Sequence, residues 1–473
     1  MRFRLSVRAR RFAAGRFVVA MLCVGVGASA CGRGRIPPAA PPRSLGRDVP
    51  VFRPSTSDTG RPRGASFATP TDSVSLRDVI ALALLHSPEL AGFAWETRAR
   101  EARIVQAGRA PNPTVGVVAE DLRASGVRSD VAASEQAVQP QTTVQLSQLI
   151  ELGGKRAARQ ALAARTRDLA AWDYEAARID VLTRVTHAFI DVIAAQQMVS
   201  LAAQTSQLVE QVQQSVSARV AAGVVSPIEE TRADVALATV RLESHRARRL
   251  LDGSRLRLAA QWGGVDATFA AAVGDLTVAP ALPAITELKI QLAENPDLAR
   301  WTVEILQRQA ALRAEESKRI PDLTLTAGYR RFPDLRSGAY LIGGSFPFPL
   351  FDRNEGAIRE AESLLAKGYE ERRAAGARVS TGLAEAYRAL AVAHEEVSVL
   401  RTTVLPGARQ TFEAVSEGYR LGKFGYLDVL DAQRTLIAAS GQYLRALADY
   451  HKAVADVERL IGTPLGGLVK SPQ

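Results

Sequence analysis

The sequence predicts a mainly α-helical chain with a small β part, built as an internal duplication. Three observations predict it. First, Leu421 to Leu436, LGKFGYLDVLDAQRTL, has an upstream counterpart in AAGVVSPIEETRADVALATV, Ala221 to Val240. Placing Gly223 over Gly422 gives an offset of 199 residues, which also sets Ala233 over Ala432 and Trp262-Gly263 over Ile461-Gly462 without a gap. Second, Gly153 to about Ala222 contains no proline, and its apolar residues step by threes and fours, as a long amphipathic helix requires. Third, strand-like runs follow a proline at the same spacing in each half. Pro88 to Pro113 is 25 residues, and so is Pro296 to Pro321.

The chain has 473 residues, long enough for two or three ordinary domains or one large duplicated one. Charged residues are 23% and apolar ones 47%, a globular rather than a disordered composition. The formal charge of +11 is gathered at the start. The first thirty residues carry Arg2, Arg4, Arg8, Arg10, Arg11 and Arg16 and no acid. Residues 31 to 72 add seven Arg against Asp48, Asp58 and Asp72, which leaves the body at +1. A nucleic-acid reading of the high pI therefore fails.

Met1 to Ala30 has the pattern of a signal peptide: a basic start, an apolar stretch from Phe17 to Gly27, then Ala28-Ser29-Ala30. Ala28-x-Ala30 suits ordinary signal peptidase. Ala28-Ser29-Ala30-Cys31-Gly32 also resembles a bacterial lipobox, in which Cys31 would be lipidated, and this reading is preferred because both patterns converge on one cysteine. Cys23 lies within the leader, so no intrachain disulfide is expected in the mature chain. Residues 31–72 are rich in Pro and Arg and read as an extended tether. A first repeat is expected over 73–280, a second over 281–465, and a short tail over 466–473.

Within the body, Ser75 to Ala107 is helical by period, with Ser75 as cap and Pro88 dividing a short helix from a longer one. Ile285 to Ala293, Asn295-Pro296 and a helix to Arg319 repeat this plan. Strands are expected at Thr114 to Glu120, Thr142 to Ile150, Leu323 to Arg330 and Ala339 to Phe346. Leu323, Leu325, Ala327 and Tyr329 alternate with Thr324, Thr326, Gly328 and Arg330, and Tyr340, Ile342 and Phe346 share one face of the fourth strand. The long helix from Gly153 returns through Glu229 to about Gln261. In the second half Glu355 to about Tyr419 goes out and Tyr426 to Ile461 comes back, with Pro406-Gly407 expected to kink or break the outgoing helix. Gly422 and Gly425 are expected to supply left-handed backbone at the reversal. No run of 18 apolar residues exists beyond the leader, so no membrane-spanning helix is expected after its removal.

Strands of roughly 8–10 residues with one apolar and one small or polar face fit a membrane barrel. In lipid every backbone group must be paired, so such strands must close on themselves. Four strands per chain are too few, because barrels begin at about eight. Several chains must contribute. Three would give about 12 strands, continued by the long helices as a tube.

SLRDVIALALLHSPEL, AGRAPNPTVGV, SQLIELGGKR, PDLTLTAGYR, FPFPLFDRNEGAI and YRLGKFGYLDVLDAQRTL, in this order and duplication, resemble the TolC-like outer-membrane efflux protein family across roughly residues 73 to 465. The resemblance implies a trimer, with an outer-membrane β-barrel continued by a long periplasmic α-helical barrel. IELGGKR and PLFDRNEG are similar to the heavy-metal (cobalt-zinc-cadmium) branch. By resemblance, Asp428 and Asp431 match the aspartates that ring the periplasmic mouth, where trimer symmetry would make a cation-attracting throat. A plainer role also exists for them, as helix-start residues favoured by the macrodipole. Their first-half equivalents, Glu229 and Arg232, depart from an acidic pair. Gly223, Val224, Gly422, Lys423 and Phe424 match tips that meet a periplasmic adaptor (membrane fusion protein) coupled to an inner-membrane RND-type pump. These turns also simply reverse the chain.

His86, His187, His245, His394 and His451 are scattered without a cysteine partner or close acidic cluster. Gly418-Tyr-Arg-Leu-Gly422-Lys423 is one residue short of a phosphate loop and has no strand before it. No nucleophile elbow and no metal-ligand spacing occur. Neither enzyme nor cofactor is expected, and transport energy must come from a partner. Two readings remain: an outer-membrane efflux conduit, and a periplasmic coiled-coil adaptor or scaffold that never enters lipid. Duplicated membrane-length strands favour the first.

Overall fold

The computed structural model describes residues 44–45, 47–54, 70–121, 140–332 and 336–465. The chain divides into two units, Met1–Ala39, which lies outside those residues, and Ala40–Gln473, which holds all that follows. The leader, Cys31 and the tail 466–473 are likewise outside the described residues.

In chain order the elements are β1 (Val74–Ser75), α1 (Leu76–His86), α2 (Pro88–Ala107), β2 (Thr114–Glu120), β3 (Gln141–Ile150), α3 (Lys155–Ala221) and α4 (Pro227–Ala260). Then come β4 (Ala272–Val273), α5 (Ile285–Gln291), α6 (Pro296–Ser317), β5 (Leu323–Phe332), β6 (Ser337–Ser345), α7 (Glu355–Val399), α8 (Leu405–Arg420) and α9 (Tyr426–Ile461). Two halves of helix, helix, strand, strand and long hairpin are thus repeated, as the offset predicted.

Local chemistry explains the starts of these elements. Ser75 and Asp78 form a reciprocal capping box at α1: Ser75 N–H donates to Asp78 Oδ2 at 3.0 Å and Asp78 N–H to Ser75 Oγ at 3.3 Å. Pro88 occupies the first position of α2, where a missing N–H costs nothing. Asn295 is fully buried, caps α6 through Leu298 N–H at 3.0 Å and donates to Leu460 O at 2.8 Å, tying two distant helix ends. At the start of α3, Gly153 has φ 67°, and a Cβ there would lie 2.8 Å from Ser317 O, so only glycine fits.

The 67 residues of α3 would extend on the order of 100 Å at ~1.5 Å per residue. The outgoing helix of the second half does not break at Pro406. A π turn, Leu400–Val404, joins α7 to α8 and absorbs the missing proline N–H. An 18-residue window of α3 has mean hydropathy 1.2, long and apolar enough by composition to cross a bilayer, although it is no unbroken apolar run. Its helix nevertheless commits Val185, Phe189, Val192 and Ile193 to the protein core.

That core gathers α1, α2, the middle of α3, α7 and α9 around Leu84, Leu90, Val185, Leu390, Leu447 and Ile461. The short parallel pair β1 and β4 lies beside it, and Val74 and Ala272 enter it. The Pro/Arg-rich stretch is not wholly a free tether. Leu45, Val49 and Val51 pack against this core, Leu45 N–H and Ser44 Oγ donate to Gly462 O at 3.3 and 3.1 Å, and Phe52 N–H donates to Leu84 O at 3.1 Å. Apolar residues among the prolines give that stretch something to bury, which proline content alone conceals.

The other sheet is antiparallel in the order β2-β3-β5-β6. Cross-strand partners align Val117, Val144, Tyr329 and Tyr340 in one row and Val115, Leu146, Ala327 and Ile342 in the next. Val115, Val117, Tyr340 and Ile342 are 67–87% exposed, so none of the described residues covers this apolar face. The opposite face carries Thr114, Thr143, Gln145, Ser147, Thr326 and Arg330. Phe346 lies one residue beyond β6 rather than within it, and is exposed.

Candidate functional site

The two long hairpins end in the same turn. At α3–α4, Gly223 N–H donates to Val220 O at 2.9 Å and Val224 N–H to Arg219 O at 2.9 Å. At α8–α9, Gly422 N–H donates to Tyr419 O at 3.0 Å and Lys423 N–H to Gly418 O at 2.7 Å. Gly223 and Gly422 have φ 70° and 73°, the left-handed conformation that ends a helix in a Schellman turn. Gly425 does not share it. With φ −85° and ψ 163° it is an extended N-cap, because its place is before α9 rather than after α8. The residues resembling a phosphate loop are the end of α8 and this turn.

Gly223, Val224, Gly422, Lys423 and Phe424 are all exposed. Phe424 folds back so that its ring occupies the space a Cβ at Gly418 would need. The hairpins pack on each other through a small cluster of Val216, Ala233, Tyr419, Tyr426, Val429 and Leu430. Arg219 braces this cluster. Its guanidinium lies 4.4 Å from the Tyr419 ring centroid, and Nη1 donates to Tyr419 O at 2.9 Å. Burial raises both tyrosine hydroxyls, Tyr426 to about 12. Glu229 adds to the rise at Tyr419, while Arg219 opposes it.

Asp428 and Asp431 lie one turn apart on α9 and line one groove with Thr411, Val415, Phe424 and Thr435. Both are exposed. Asp428 Oδ2 accepts the Gly425 N–H at 2.8 Å, so it is a helix-start residue as well. The Asp431 carboxylate has no partner among the described residues. The equivalent Glu229 is half-buried, and its Oε2 has no hydrogen-bond partner among the described residues. A carboxylate turned into the tip cluster at one position and outward at its repeat was not legible from the offset.

The structure gives His187, which by sequence had no close acidic neighbour, an acidic partner. It sits between α3 and α9, with Nε2 3.1 Å from Asp456 Oδ1 and 3.1 Å from Lys452 O. The Asp456 carboxylate raises its pKa above the ordinary histidine value. The acid is 269 positions away in sequence, where no local spacing signals it. Among the described residues, no three His, Cys, Asp or Glu side chains are grouped to hold a metal ion.

Two long helical hairpins joined to an open sheet whose apolar face no described residue covers define a protein whose sheet, not its hairpins, is suited to a membrane. The chain belongs to the outer membrane efflux protein family, which matches residues 79–264 and 288–463. It is similar to the cobalt-zinc-cadmium resistance protein CzcC of Cupriavidus metallidurans, 36% identical over 414 residues, 87% of this chain and 96% of that protein. In fold it is similar to a membrane protein of Pseudomonas aeruginosa, with TM-score 0.70 and 19% identity over 88% of this chain and 98% of that one. It is also similar to the outer membrane protein VceC of Vibrio cholerae, with TM-score 0.68 and 19% identity over 82% of this chain and 96% of that one. The protein is therefore an efflux protein of the outer membrane with a periplasmic extension, and not an enzyme.

Proposed function

We propose that the chain is the exit conduit of a tripartite efflux system, three copies sharing one barrel and one helical tube. The observation that carries this is the sheet: among the described residues it has four strands, an uncovered apolar face, and β2 and β6 as open edges. In lipid those edges must find strands, and further copies of the same sheet supply them. Asp428 and Asp431 ring the periplasmic throat, where six carboxylates per trimer attract cations. The turns at Gly223, Val224, Gly422, Lys423 and Phe424 meet a periplasmic adaptor, and an inner-membrane RND-type pump supplies the energy. The cargo is divalent metal cations, supported by the likeness to CzcC. Cys31 carries the lipid that holds the N-terminus to the membrane.

Purified, detergent-extracted protein is expected as a trimer that conducts in planar lipid. A single-chain species without conductance overturns the conduit. Deleting the gene is expected to lower tolerance to zinc, cobalt and cadmium. Unchanged metal tolerance with new sensitivity to organic toxicants overturns the metal cargo and leaves the conduit standing.

A further inference from the structure

The apolar face of the sheet is assigned to lipid, so the opposite face lines the lumen. On that face, among the described strand residues, the charged side chains are Glu120 of β2 and Arg330 of β5. They are not neighbours in the sheet, since β3 runs between them. Arg330 stands directly opposite Thr143 of β3, and its Nε donates to Thr143 Oγ1 at 3.0 Å. Its Nη2 reaches on across β3 to Glu120 Oε2 at 3.5 Å. Thr143 beneath is only 3% exposed, the mark of a guanidinium laid along the wall rather than projecting from it.

We propose that Glu120 and Arg330 neutralise each other on the lumen wall, so that the barrel section does not select between cations and anions. This rests on the conduit reading. In a trimer three arginines would otherwise face the passage through which cations must leave, and unpaired Arg on that wall repels cations. Pairing removes that barrier, and ion selection is left to the aspartates at the other end. The pair adds little to stability, because both side chains, 32% and 43% exposed, are solvated. Its purpose is legible in permeability.

The test is the reversal potential of the full chain in planar lipid under a potassium chloride gradient. Glu120→Gln is expected to lower the cation-to-anion permeability ratio about twofold, and Arg330→Gln to raise it by a similar factor. The double variant is expected to return near the parent. Opposite signs with mutual rescue separate an electrostatic role from a structural one, since a deformed barrel would move both single variants alike. If neither single variant shifts the ratio while Asp431→Asn does, or if both shift it in one direction, the pairing proposal is overturned. Absence of conductance in the parent and all variants overturns the conduit reading, and the pair's role with it.

Discussion

The two hairpin tips share a backbone and differ in what their side chains do with it. The first turn places Arg219 where the second, by the 199-residue offset, places Gly418. Arg219 reaches across to Tyr419, while Gly418 leaves room for Phe424 to fold back. The first turn puts Glu229 half inside the tip cluster, and the second puts the equivalent Asp428 at the surface beside Asp431. Both tips build the cluster that holds the hairpins together, but the first turns its charged side chains toward that contact and the second keeps its acids outward. A duplicated segment can divide its labour in this way because a Schellman turn constrains only the glycine. The flanking positions are free to diverge.

The largest effect expected is at the brace. Arg219→Ala removes a cation–π contact and a charged hydrogen bond, and should weaken the tip cluster by about 2 kcal/mol. Faster hydrogen exchange around Val216 and Val429, with none at Val185, is the readout. No change there would mean the tips do not depend on each other. The acidic positions come next. Asp428→Ala should cost about 1 kcal/mol through the lost cap, and Asp428→Asn much less, because Asn still accepts. Asp431→Asn should leave thermal stability alone. Both asparagine variants should lower the cation preference of the conducting protein, whereas Glu229→Gln should not. An equal loss from Glu229→Gln would erase the division between the tips.

Gly223→Ala and Gly422→Ala test the shared backbone. No atom lies within 4 Å of a Cβ built at either position, so only the left-handed backbone is penalised, by about 1 kcal/mol each. Unequal melting shifts would show that the turns are less alike than their hydrogen bonds. The smallest effect is in pH. Tyr426 is raised to about 12, so its contribution is fully present below pH ~10 and is lost as pH rises towards 12. The unfolded tyrosine ionises first, which favours unfolding. Tyr426→Phe should flatten this alkaline decline while leaving stability at pH 7 nearly unchanged in melts.

Much of the architecture was legible because its signals are local or periodic. Ser75, Pro88 and Asn295-Pro296 announce helix starts through the backbone groups they satisfy or lack. Alternation from Leu323 to Arg330 announces a two-faced strand. Asp428 and Asp431 were readable as one face because three residues on a helix nearly complete a turn. Gly425 was misread, since glycine permits positive φ without requiring it. Pro406 was expected to end or bend a helix that instead widens into a π turn. Docking of Leu45, Val49 and Val51 was hidden by the prolines around them.

By itself, then, the order of residues determined the repeat, the succession of the main helices and of the four strands β2, β3, β5 and β6, the turn at each tip and the two faces of β5. Each depends on interactions within a few positions or on a strict period. Only the tertiary structure decided that Glu229 turns inward while Asp428 does not, that His187 meets Asp456, and that Arg330 lies across β3 to Glu120. These pairings join residues far apart in the chain, and no local preference encodes which distant side chain will be there when the helices and strands pack.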